Sequence, residues 1–114
     1  KIIFVSNNYN RIIEKMLQHQ QWDQISEGFI GVDNVKNAKP DPEMIHLALH
    51  KLDTSPGESV MIGDSLYDIQ AGQAAGTKTI ALCTKHPSSI FEPLQPDLIL
   101  GEFRDILPYL PLDM

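Results

Sequence analysis

Disulfides, membrane spans and a basic surface are all missing from this sequence, and each absence removes a class of protein. Cys83 is the only cysteine among 114 residues, so there is no internal disulfide framework. It closes the apolar run Thr79-Ile80-Ala81-Leu82-Cys83, where a small buried thiol is the simplest role. No apolar run reaches bilayer-spanning length, and no signal-peptide pattern is visible. No membrane partner and a cytoplasmic location are therefore expected. Positive charge is also scarce: the net charge is −6, which argues against a nucleic-acid footprint. Internal repeats and low-complexity tracts are absent. What is there is an ordinary globular composition, 42% hydrophobic and 21% charged, whose length fits one small domain over 1–114. At this size roughly two thirds of the unfolded surface can be buried.

Apolar patterning predicts strands near 2–6, 28–32, 59–63, 78–83 and 97–100, and helices near 9–20, 42–52, 66–75, 88–92 and 103–109. Such alternation argues an α/β fold with a mainly parallel sheet. Ile12, Ile13, Met16 and Leu17 are spaced for one helix face, and Met44, Ile45, Ala48, Leu49 and Leu52 for another. Asp41 is expected as an N-cap with Pro42 as the first helical residue. Gly76 suits a helix C-terminus. Pro87, Pro93 and Pro96 make 84–96 a loop region. Trp22 is expected to pack at a helix end.

The most informative stretch is Val60-Met61-Ile62-Gly63-Asp64-Ser65-Leu66-Tyr67-Asp68. A strand ends in Gly-Asp, a helix begins at Ser65, and a second carboxylate follows. In an open α/β sheet that edge binds ligands. Asp64 and Asp68 are hard oxygen donors suited to Mg²⁺, which takes one or two carboxylates plus phosphate and water. Ser6 and Asn7 end the strand Ile2-Ile3-Phe4-Val5 just before a helix, where a hydroxyl, an amide and backbone N–H groups can cradle a phosphate. Between these two motifs stands Lys39-Pro40-Asp41-Pro42, whose lysine can hold a point charge against a phosphoryl group. His46 and His50 have an i, i+4 zinc spacing. Their helix buries the opposite face, however, and no third ligand is apparent.

The ordered series Ser6, Lys39, Asp64 and Asp68 resembles the second, third and fourth motifs of the haloacid dehalogenase superfamily of hydrolases, close to its phosphoglycolate phosphatase-like branch. The resemblance covers essentially the whole chain. It implies a Rossmann-like core and a Mg²⁺-dependent phosphatase acting on a small phosphorylated metabolite through an aspartyl-phosphate. Ser6 and Asn7 would then contact phosphoryl oxygens, Lys39 would neutralise charge, and Asp64 would ligate Mg²⁺. Asp68 would act through a metal-bound water or by orienting Lys39. The family's first motif, Asp-x-Asp on its first strand, has no counterpart upstream of Ser6. The acidic triplet Asp41-Pro42-Glu43 fits a helix start instead. The resemblance therefore implies that this chain is the C-terminal part of the core, lacking the nucleophile strand and the cap. A missing N-terminal segment or another chain would complete the sheet, and this chain alone would be inactive. The 32 residues between Ser6 and Lys39 leave no space for an inserted cap, so the family's substrate-choosing element would lie elsewhere. Two alternatives are a 2-haloacid dehalogenase, which needs no metal and so leaves the paired carboxylates unexplained, and a non-catalytic binding remnant.

Overall fold

The computed structural model describes residues 1–109. In chain order it contains β1 (Phe4–Val5), α1 (Asn10–Gln20), β2 (Phe29–Ile30), α2 (Glu43–Leu52), β3 (Val60–Gly63), α3 (Leu66–Ala75), β4 (Lys78–Leu82), α4 (Ser88–Phe91) and β5 (Leu98–Leu100). A 3₁₀ stretch, Phe103–Tyr109, follows. Every strand pair is parallel, in two sheets ordered β1–β2 and β3–β4–β5. Parallel neighbours need a crossover, and the helices supply it. Among the described residues, no helix is long and apolar enough to cross a membrane.

Side chains alternate across each strand, and that alternation sorts the helices onto two faces. On one face, Ile45 and Leu49 of α2 and Ala71 and Ala75 of α3 form a buried cluster that takes in Val5 from β1 and Met61 from β3. One apolar layer thus bridges both sheets. Gly72 lets α3 sit this close, since a Cβ there would come within 2.8 Å of the Met61 Cβ. On the other face, Phe4 stacks on Trp22 with ring centroids 5.6 Å apart, which places Trp22 as expected just beyond the end of α1. Leu17 of α1 shares a shallow groove with Phe29 on that same face. Ile106 packs there against Ile80 and Leu82, with Val60 and Ile62 alongside.

Two local expectations are corrected. Of the four residues assigned to the buried face of α1, only Ile13 and Leu17 are buried; Ile12 is 39% and Met16 53% exposed. Ile12 and Met16 lie about 100° around the helix from Ile13 and Leu17, too far to share one contact with the sheet. Asp41 is not the N-cap position, because α2 starts at Glu43 with Pro42 as its cap residue. The Asp41 carboxylate instead accepts the Glu43 N–H from two residues back, at 2.9 Å, a turn-forming bond typical of aspartate. At the other end of the chain's logic, Gly76 closes α3 with φ +85°, the left-handed conformation that glycine adopts freely.

Candidate active site

The carboxyl ends of β1 and β3 and the loop before α2 meet at one place. Lys39 is the hub. It is only 8% exposed, so it is no surface charge. Its ammonium donates to the Val5 carbonyl at 3.2 Å and forms a salt bridge with Asp68. β1 uses Phe4 and Ser6 N–H groups to bond β2, at Gly28 O and Ile30 O. Alternation therefore turns the Val5 carbonyl toward the other edge of β1, the edge facing β3. The ion pair stands in the opening between the two sheets, with Lys39 reaching from one and Asp68 from the other.

Both partners are tied down further. Asn7 grips the backbone of Lys39 from both sides: its side-chain N–H donates to Lys39 O at 3.0 Å, and its carbonyl accepts the Lys39 N–H at 3.1 Å. Asp68 forms a reciprocal N-terminal cap with Ser65, accepting the Ser65 N–H at 3.3 Å while Ser65 Oγ accepts the Asp68 N–H at 3.2 Å. A Cβ on Gly63 would overlap the Asp68 carboxyl, so only glycine lets the strand end approach it. Such bonds offset the cost of desolvating two charges. Both Asp68 oxygens are engaged, one by Lys39 and one by Ser65 N–H.

Ser6 follows β1 directly. Its hydroxyl accepts the Asn8 N–H at 3.1 Å, a serine turn that keeps the loop compact. Asp64 follows β3 and turns outward, its side chain 34% exposed, with Lys85 Nζ at 3.7 Å. Thr84 Oγ1 donates to the same carboxylate oxygen at 3.4 Å. The partly exposed Asp64 carboxylate has the chemistry of a Mg²⁺ ligand. Among the described residues no three His, Cys, Asp or Glu side chains gather, so a metal here would draw most of its ligands from water and phosphate, the habit of Mg²⁺. His46 and His50 lie exposed on α2.

The loop carrying Lys39 is fastened by Glu43, which accepts the N–H groups of Lys36 at 2.9 Å and Asn37 at 3.0 Å. The Lys36 amide, opposed by desolvation but joined by the backbone and side-chain amides of Asn37, holds the Glu43 carboxyl below its usual range. Sequence reasoning missed three contributors. The Asn7 clamp joins residues far apart in the chain and leaves no local signal. Thr84 and Lys85 were hidden in a proline-rich loop. The Ser65–Asp68 pair was legible in principle, since a hydroxyl followed three residues later by an acid marks a capped helix start.

A family model described as haloacid dehalogenase-like hydrolase matches residues 1–82. Pyrophosphatase PpaX of Bacillus mycoides is 37% identical over 111 residues, covering 96% of this chain and 52% of that protein. Among solved structures, a HAD-superfamily hydrolase from Ehrlichia chaffeensis superposes with TM-score 0.78 at 26% identity, covering 94% of this chain and 47% of that one. A "predicted phosphoglycolate phosphatase" from Haemophilus somnus gives TM-score 0.84 at 25% identity, covering 93% and 48%. The chain spans about half the length of the relatives it matches.

Proposed function

The chain belongs to the haloacid dehalogenase-like hydrolases, and from that premise we propose that it forms the phosphate-handling half of a Mg²⁺-dependent phosphohydrolase acting on a small phosphomonoester. The observation that carries this reading is the Lys39–Asp68 pair in the opening between β1 and β3. A parallel strand seated there, from a preceding segment or another chain, would present its terminal Asp to a lysine already held in place. That Asp attacks phosphorus, the bond to the leaving alcohol oxygen breaks, and water then hydrolyses the aspartyl-phosphate. Two easier steps replace one hard one.

The chain's own residues bind and orient. Lys39 places positive charge beside the attacking carboxylate and the transferring group, and placement of charge supplies most of the catalysis in phosphoryl transfer. Ser6 Oγ donates to a phosphoryl oxygen while continuing to accept the Asn8 N–H. Asn7 spends its side chain on Lys39, so what it offers the phosphate is its backbone. Asp64 would hold Mg²⁺, which supplies charge neutralisation on the phosphoryl oxygens. Asp68 keeps Lys39 aimed. The relatives named pyrophosphatase support phosphoryl rather than carbon–halogen chemistry. The test is a generic phosphomonoester assay with Mg²⁺. The purified chain is expected to be inactive and a version carrying the nucleophile strand active, with Lys39→Ala abolishing that activity. Turnover by the chain alone, lost in Asp64→Ala, would mean that the nucleophile has been misplaced.

A further inference from the structure

Lys39 and Lys85 reach the end of β3 from opposite sides. Lys39 stands in the opening toward β1, and Lys85 follows β4, the strand paired with β3. The two ammonium groups differ in what they can still do. Lys39 is buried and matched by a buried carboxylate, Asp68, so its charge is committed. Lys85 is 70% exposed and lies 3.7 Å from Asp64 Oδ2, longer than an ordinary hydrogen bond.

The backbone around Lys85 is fastened on both sides. Cys83 N–H donates to Leu100 O at 2.8 Å, which ties the end of β4 to β5. The His86 ring meets Phe91 edge-on with centroids 6.5 Å apart, and Phe91 is fully buried. What stays loose is the flexible four-carbon stem. A fixed root beside Asp64 with a mobile charged head adds little to the stability of the fold, because exposed pairs contribute little. For the same reason it can change partners at small cost.

Electrostatics sets the direction of that change. An ammonium beside Asp64 repels a divalent cation on the same carboxylate, and Asp64 attracts Lys85 less once a metal neutralises it. A phosphoryl group bound with the metal brings oxygens of opposite charge within reach of the same stem. Thr84 donates to the same Oδ2 at 3.4 Å, but its hydroxyl carries no charge and escapes the repulsion.

Resting on the reading that Asp64 ligates Mg²⁺ for phosphoryl transfer, we propose that Lys85 is a substrate-binding residue that guards Asp64. It pairs with that carboxylate until Mg²⁺ claims it, then turns to a phosphoryl oxygen of the substrate. Lys85 thereby weakens binding of the metal alone and strengthens binding of the anion once the metal is there, which couples the two binding events.

Two amide chemical-shift titrations of this chain test the proposal, one with Mg²⁺ and one with inorganic phosphate at saturating Mg²⁺. The signature is a pair of changes of opposite sign. Lys85→Met should bind Mg²⁺ about two- to fivefold more tightly and phosphate about two- to fivefold more weakly, the size expected for one exposed charge pair. Lys85→Arg keeps the charge and should stay close to the parent in both. The Lys85 head is exposed, so both variants are expected to fold as the parent does. Any other combination overturns the exchange: no change in either titration, weakening in both, or tighter Mg²⁺ binding with phosphate binding unaltered or absent in the parent. No Mg²⁺-dependent shift near Asp64 in parent or variant would instead defeat the metal reading of Asp64, and the role of Lys85 with it.

Discussion

Lys39 is held at its backbone by Asn7 and at its head by Val5 and Asp68, and these two grips have different costs when broken. Asn7→Ala removes two partly buried hydrogen bonds, which together contribute about 1–3 kcal/mol. Lys39→Met strands a buried carboxylate, and breaking a buried pair from one side costs about 3–5 kcal/mol. Urea denaturation of both variants is expected to rank them in that order. A Lys39→Met variant as stable as the parent would show that Asp68 is not held as a buried charge. Asp64 belongs to a different category, because it is partly exposed and faces the polar loop after β4. Weak Mg²⁺ binding is expected to raise the melting temperature, and Asp64→Asn should remove the rise while leaving the melt without metal nearly unchanged. A persistent rise would place the metal elsewhere.

At the scale of elements, the decisive piece is the loop between β2 and α2, because it has no ladder bonds and yet must fix Lys39. Glu43 fastens it by accepting the amides of Lys36 and Asn37. Those bonds lower the folded-state pKa of Glu43 from its ordinary 4.5. A group depressed on folding contributes stability above its unfolded pKa and loses it as pH falls through the folded value. Glu43→Gln is therefore expected to be less stable than the parent at neutral pH, and the difference should shrink well below pH 4.5. Denaturation midpoints of the pair across that range check it, and a difference independent of pH would mean that the charge of Glu43 does not matter to the loop. The helix starts are fixed in two ways: Asp33, 23 positions along the chain, accepts the first N–H of α1 at 3.3 Å, whereas Ser65 with Asp68 caps α3 locally.

For the whole molecule, the issue is the pair of unmatched edges. Lys78 N–H bonds Ser59 O, so in the parallel register of β3 with β4 the amides of Met61 and Gly63 face β4, while those of Val60 and Ile62 face the opening. β3 is apolar throughout but only half-buried along its length, whereas four of the five β4 residues are buried. Exposed strand edges invite pairing, and unpaired buried backbone groups cost about 1–3 kcal/mol each. In the chain alone, Val60 and Ile62 are expected to exchange their amide hydrogens faster than Met61 and Gly63. Uniformly slow exchange along 59–63 in a monomer would show that the opening closes without any added strand.

Local patterning alone determined the order of elements, because periodicity and turn chemistry act within a few residues. The apolar run Val60–Ile62 before Gly63-Asp64, the i, i+4 face of Met44, Ala48, Ile45 and Leu49, and Gly76 each carry their own signal. The motif residues Ser6, Lys39, Asp64 and Asp68 were legible for the same reason: each is written beside the strand end or helix start that positions it. Tertiary structure decided the rest. Only the parallel pairing of β1 with β2 and β3 with β4 brings Lys39 to Asp68 and Asn7 to the Lys39 backbone, contacts between residues 29 and 32 positions apart. Burial also belongs to that level. Ile12 and Ile13 are equally apolar in the sequence, yet one is exposed and the other buried, because hydrophobicity is a property of the residue and burial is a property of what lies against it.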